Sequence, residues 1–173
     1  MYIYENIAFR VIEKRDLEIL RKLHNDPSTY MNILSLDWVD EENQLEWWKN
    51  LRNKTNDQRF SLCFAEKPDI VYGRLRIQSI NHLHKNCEVG LDILPEYRGR
   101  GLGLQSYQMV IDYLFKQLGM HMIYLKVADF NKSALDLYKK VGFSETGRFP
   151  DFFFRNGKYH DYILMSIVAS QET

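Results

Sequence analysis

The sequence predicts a mixed α/β fold of the α+β kind, a largely antiparallel central sheet with helices on both faces. Three observations carry this. Short runs alternate apolar and polar residues, as half-buried strands require, while others repeat apolar residues every three or four positions, as amphipathic helices require. Three strand-like runs follow one another in mid-chain with only short polar turns between them, the pattern of an antiparallel meander. After the last of them a glycine cluster, YRGRGLG, opens a long helical run. At 173 residues the chain fits a single domain, 1–173, with core enough to fold without staples.

The opening alternates up to Ile12, and Leu17, Leu20 and Leu23 then share one helical face, so a strand is followed by a helix. Asp16 is placed to cap that helix and Asn25-Asp26-Pro27-Ser28 to stop it. A second helix is expected from about Glu41, with Leu45, Trp48 and Leu51 inward, and the loop before it is rich in Tyr, Met and Trp. RFSLCFAE, DIVYGRLRIQSI and NCEVGLDIL are the meander strands. A helix then runs through Tyr107, Val110, Ile111, Leu114 and Phe115 to Leu118, where Gly119 stops it. HMIYLKVAD is a strand and NKSALDLYKKVGF a helix ending at Gly142, and the rest is a hairpin turned at Asn156-Gly157. The run Phe152 to Phe154 either closes the core or forms a homodimer contact.

Equal numbers of basic and acidic residues, 23 of each, leave no net charge and no bulk electrostatic case for nucleic acid or a membrane surface. No apolar run approaches the roughly 20 residues that span a bilayer, and MYIYENIAFR lacks the features of a signal peptide. The expected compartment is the cytoplasm. Cys63 and Cys87 sit in strand-like runs without C-x-x-C spacing and are read as buried free thiols. His82 and His84 have no third ligand near in sequence, so no metal is expected. Asp161, beside His160, either meets a cationic amine or pairs with a neighbouring base.

Three phosphate motifs compete for the glycine loop. A P-loop needs Lys and Ser/Thr after its glycines, but Leu104 and Gln105 follow Gly103. A dinucleotide fingerprint needs G-x-G-x-x-G in a βαβ unit, whereas the spacing here is G-x-G-x-G after antiparallel strands. What remains is R-x-x-G-x-G, formed by Arg98, Gly99, Arg100, Gly101, Leu102 and Gly103. Successive backbone N–H groups and the positive end of a helix bind a pyrophosphate there without a metal.

YRGRGLG, followed some thirty residues on by NKSALDLYKKVGF, resembles the GNAT superfamily of acyl-CoA-dependent N-acetyltransferases. The resemblance covers most of the chain and implies a GNAT-like sheet, with acetyl-CoA as co-substrate and its pyrophosphate on the first motif. It implies contact of Asn131 with the CoA arm and a place for Tyr138 near the sulfur, which makes Tyr138 the candidate general acid. Core packing beside Leu135 and Leu137 is the alternative for that ring. Seven residues separate Asn131 and Tyr138, so they share a helix face about 10 Å apart. Many members also use a glutamate on the meander's last strand as base. Glu88 lies there, opposite in face to Val89, Leu91 and Ile93, and is either that base or a salt-bridged strand carboxylate. Family members splay this strand from its neighbour, which implies that backbone near Ile93 and Leu94 binds pantetheine. The segment after the first helix lines the family's acceptor site, which points to Trp38 and Tyr30 as substrate-binding, while Trp48 is read as core.

The closing hairpin looks like the branch of ribosomal-protein N-terminal, spermidine and amino-sugar-nucleotide acetyltransferases. The expected reaction is direct transfer of an acetyl group to a primary amine, on a small molecule or a peptide N-terminus. An amino-sugar nucleotide is the leading acceptor, because Trp38 and its neighbours offer aromatic and polar groups and the acidic cluster is limited to Asp37, Asp40, Glu41 and Glu42. A polyamine or a protein N-terminus is the alternative acceptor, and a non-catalytic acyl-CoA binding module is the rival from another class.

Overall fold

The structure, a computed structural model, describes residues 1–169. Its strands are β1 (Tyr2–Tyr4), β2 (Ile7–Val11), β3 (Asp57–Phe64), β4 (Val71–Asn81), β5 (Asn86–Ile93), β6 (Met122–Ala128), β7 (Ser144–Arg155) and β8 (Lys158–Val168). Its helices are α1 (Leu17–Asn25), α2 (Pro27–Tyr30), α3 (Glu41–Asn50), α4 (Leu102–Asp112) and α5 (Lys132–Val141). One sheet holds the strands in the order β1-β2-β3-β4-β5-β6-β8-β7. All neighbours are antiparallel except β5 and β6, whose parallel pairing is made by a crossover through α4.

Period two along the strands sends Phe9, Leu62, Leu75, Ile77 and Val89 to one face, where they pack with Tyr107, Met109, Val110 and Leu114 of α4. The alternate positions face α1 and are largely polar. There Arg10 and Asp16 form a buried ion pair at 2.7 Å, Ser61 Oγ donates to Asp16 at 2.9 Å, and Arg74 donates to Asp92 at 2.7 Å. Beside this layer a smaller apolar cluster joins Ile12, Leu20, Leu23, Val71 and Leu94 to Trp47, Trp48 and Leu51. Trp48 is thus core, its Nε1 donating to Ile12 O at 2.8 Å.

The meander, the Gly142 stop and the Asn156-Gly157 turn stand where expected; φ is positive at both turn residues, +50° and +74°. Several details differ. Asp16 precedes α1 but does not cap it, because its carboxylate is taken by Arg10, Ser61 and the Glu13 N–H. Asp26-Pro27 ends α1 and also starts α2, since Asp26 Oδ1 accepts from Ser28 N at 2.9 Å and proline suits the first helical position. On α3 the inner residues are Gln44, Trp47 and Trp48 rather than Leu45. The run after α4 continues as a π-helical turn, Tyr113–Gln117, and Gly119 follows it at φ +59°. Cys63 and Cys87 are buried free thiols, and burial pushes the Cys87 thiol up to about 12.

Candidate active site

β5 and β6 pair at only three positions, Asn86↔Met122, Cys87↔Ile123 and Glu88↔Tyr124. Beyond them β5 stays on β4 as far as Ile93↔Gly73, and β6 stays on β8 as far as Ala128↔Tyr162. The two strands therefore part past Glu88, and the edge of β5 that faces the gap has no strand partner. A cavity of about 620 Å³ fills the gap, lined along β5 from Glu88 to Ile93 and capped by Asn131, Leu137 and Tyr138 of the α5 region.

At one end of the gap stands the glycine loop. Gly99 and Gly101 have φ of +72° and +80°, with open space where side chains would be. Gly101 precedes α4, and the first helix bond onto it comes from Gln105 N at 3.1 Å. The amides of Leu102, Gly103 and Leu104 thus lack a partner one turn back and face out of a helix N-terminus, as an oxyanion requires. At Gly103 a Cβ would come within 3.2 Å of Leu137, so glycine there sets the approach of α4 to α5. Arg98 is turned inward to the protein: Nε donates to Ile93 O at 2.8 Å and the two Nη atoms reach Ser28 Oγ at 2.5 Å and Thr29 Oγ1 at 2.8 Å. It braces α2 against the loop. Arg100 is exposed and lies over the Tyr97 ring at 5.6 Å.

Tyr138 is half-buried at the cavity wall with its ring edge-on to Tyr107 at 5.2 Å. Burial pushes its hydroxyl upward, partly offset by Tyr107 and Arg76, so it keeps its proton through neutral pH. Glu88 is nearly buried and pairs with Lys126 Nζ at 3.0 Å across the narrow end of the gap. Asn131 Oδ1 caps α5 through Ala134 N at 3.3 Å, which fixes the start of the helix that carries Tyr138.

Residues 6–144 match the family described as "Acetyltransferase (GNAT) domain". The chain belongs to the GNAT acetyltransferase family. A spermidine N(1)-acetyltransferase of Vibrio cholerae is 32% identical over 169 residues, covering 95% of this chain and 94% of that one. A crystal structure of spermidine N-acetyltransferase from Vibrio cholerae in complex with CoA and spermine superposes with a TM-score of 0.88 at 28% identity, over 95% of this chain and 96% of that one. A dodecameric structure of the Vibrio cholerae enzyme in an intermediate state gives 0.80 at 30% identity, over 95% of each chain. This GNAT chain is an acetyl-CoA-dependent N-acetyltransferase, with acetyl-CoA as its co-substrate.

In this GNAT site the structure brings together Glu88, Ile93, Arg98, Gly99, Gly103, Asn131 and Tyr138 as cavity lining. Leu94 does not line the cavity: its side chain is in the α1 core, its N–H donates to Tyr72 O at 2.9 Å and its carbonyl accepts from Tyr97 N at 2.9 Å. Tyr30 and Trp38 pack on one another at 5.1 Å, with Trp38 67% exposed, and neither lines the cavity, whereas Ser28 and Thr29 do. Arg100, Gly101 and Leu102 belong to the loop without lining the cavity. Sequence reasoning missed Arg76, Tyr107, Lys126 and Tyr162, which reach the gap from four separate elements. Period two on GRLRIQ could have placed Arg76 on Glu88's face; no local signal marks the others. Asp161 pairs with Arg148 at 3.0 Å and does not line the cavity. Among the described residues no group of three His, Cys, Asp or Glu side chains could hold a metal ion, and no helix is long and apolar enough to cross a membrane.

Proposed function

We propose that this N-acetyltransferase moves the acetyl group directly onto the primary amine of a small molecule, with Tyr138 giving a proton to the departing thiolate and Glu88 taking the proton the amine loses. The observation that carries the reading is the gap between β5 and β6, with a protonated tyrosine on one wall and a carboxylate on the other. The amine nitrogen forms the new bond to the acetyl carbon as the carbon–sulfur bond breaks, so the two proton transfers balance. The amides at the start of α4, with Gly99 to Gly101, are suited to the pyrophosphate; the unpaired edge of β5 suits pantetheine, and Asn131 the CoA arm.

The names of the similar proteins support a polyamine acceptor and lend none to an amino-sugar nucleotide. A second reading, an amine that also carries an acidic group, is favoured by the charges of the cavity wall. The compartment this reading implies is the cytoplasm, consistent with two unpaired buried thiols. A homo-oligomer is supported by Phe149, Phe152, Phe154 and Tyr159, which stay exposed beside the edge strand β7 while Phe153 enters the core. Thiol release from acetyl-CoA against spermidine, an L-amino acid, an amino-sugar nucleotide and a peptide with a free N-terminus tests the reaction. Release with one small amine is expected. Tight acetyl-CoA binding without release for any amine would replace this reading with the non-catalytic binding module.

A further inference from the structure

The cavity wall carries three cations, Arg76, Arg98 and Lys126, against two carboxylates, Glu88 and Asp92. Both carboxylates already hold a cation. Glu88 holds Lys126 at 3.0 Å, and Asp92 holds Arg74 at 2.7 Å and Arg76 at 3.5 Å. The last contact is at the limit of a hydrogen bond and is made by Nη2. Its Nε is buried and finds no partner among the described residues.

Gly90 explains how the guanidinium comes to lie there. Arg76 and Gly90 are register partners on β4 and β5, and a Cβ at position 90 would sit 2.8 Å from Arg76 Nη2 and 3.2 Å from its Cζ and Nε. Only glycine leaves room for the guanidinium to lie flat across β5, on the face that carries Glu88. Lys126 stands two residues past the last β5–β6 pair, on the other side of the same opening. Two cations thus flank the carboxylate proposed to take the amine's proton.

A polyamine at neutral pH offers only N–H donors and positive charge. It can satisfy neither an orphaned Arg N–H nor a wall whose carboxylates are already paired. An oxyanion can satisfy both, and a guanidinium binds one through two parallel bonds. We infer that Arg76, assisted by Lys126, selects a primary amine that also bears a carboxylate or phosphate, and that Gly90 is the residue that makes room for this selection. The inference rests on the N-acetyltransferase reading and names the chemical class of its acceptor.

The test compares kcat/KM from thiol release for wild type, Arg76→Gln and Arg76→Glu with an L-amino acid, an amino-sugar nucleotide and spermidine, alongside the acetyl-CoA Kd. Wild type is expected to favour one of the two anionic amines over spermidine by at least about tenfold, and which one it favours separates carboxylate from phosphate. Arg76→Gln is expected to lower kcat/KM for that amine about 10-fold to 100-fold through KM, with the acetyl-CoA Kd unchanged, and Arg76→Glu to turn the preference towards spermidine. Spermidine ahead of both anionic amines in wild type would overturn the inference and leave the transferase reading standing, and this arm needs no variant to fold. Equal losses for all three acceptors in Arg76→Gln would make Arg76 purely structural. No release with any amine, at intact acetyl-CoA affinity, would overturn both.

Discussion

The two sides of the gap between β5 and β6 are built by different means. The side that suits acetyl-CoA is made of backbone: two left-handed glycines, the open amides of α4 and an unpaired strand edge. The side proposed for the amine is made of side chains: Ser28 and Thr29 from α2, Arg76 from β4, Glu88 and Asp92 from β5, Lys126 from β6 and Tyr162 from β8. A backbone site cannot be retuned by exchanging one side chain, which suits a constant co-substrate. A side-chain site changes with each substitution, and the acceptor can diverge while the reaction stays.

The strongest way to break this contrast is at the backbone side. Gly101 sits at φ +80° before α4, where a β-branched residue is strained and would move the open amides. Gly101→Val is expected to raise the acetyl-CoA Kd about 100-fold, read by calorimetry. A rise below threefold would mean that the amides are not the anchor. On the amine side, Glu88→Gln removes the proposed proton acceptor. It is expected to lower kcat by about 50-fold, with acetyl-CoA binding unchanged. Unaltered kcat would reduce Glu88 to the partner of Lys126.

Strong acid should weaken the pairs that Asp92 makes. Burial alone would raise the Asp92 carboxyl, but the Arg76 and Arg74 guanidiniums outweigh it and bring it to about 2. A depressed carboxylate contributes its full stability above the unfolded value near 4 and loses it as pH falls from about 4 to about 2. The contribution is about 2 kcal/mol. Urea melts of wild type should therefore weaken over that window more steeply than those of Asp92→Asn, and parallel curves would remove Asp92 from the account. Arg155 gives a smaller effect. It lies over the Phe153 ring at 4.3 Å and donates to the Ile33 and Leu34 carbonyls, tying the β7–β8 hairpin to a loop that lines the cavity. Arg155→Ala is expected to raise the amine KM about tenfold and leave the acetyl-CoA Kd alone. A matching change in both would mean a general loss of packing. The smallest effect belongs to Trp38→Ala, with the amine KM within about twofold, since its ring lies outside the cavity. A larger rise would return Trp38 to the acceptor site.

The same contrast explains what could be read from the sequence. Glycine spacing, helix starts and stops, and strand alternation are local, so α4, α5, the meander and the glycine loop were legible in single stretches. Gly142, Asn156 and Gly157 mark their turns by backbone conformation. The amine side is an event of tertiary packing. Lys126 meets Glu88 only because β6 is the parallel neighbour of β5, and Arg76 reaches the gap only because residue 90 lacks a side chain. Tyr30 and Trp38 drew the acceptor assignment from the segment they lie in and their aromatic rings, yet Ser28 and Thr29 are the α2 residues that line the cavity. The α2 helix itself was hidden because Asp26-Pro27 reads equally as a stop and a start.

Tyr138 is where the two sides meet, so its hydroxyl is the most direct thing to remove. Tyr138→Phe keeps the ring against Tyr107 and Phe143. Turnover of the best amine and the acetyl-CoA Kd should be measured together on the pure variant. The account predicts that kcat falls at least about 100-fold while Kd stays within about twofold. Turnover within about threefold of wild type would contradict it, and the proton for the departing thiolate would then have to come from another group in the gap.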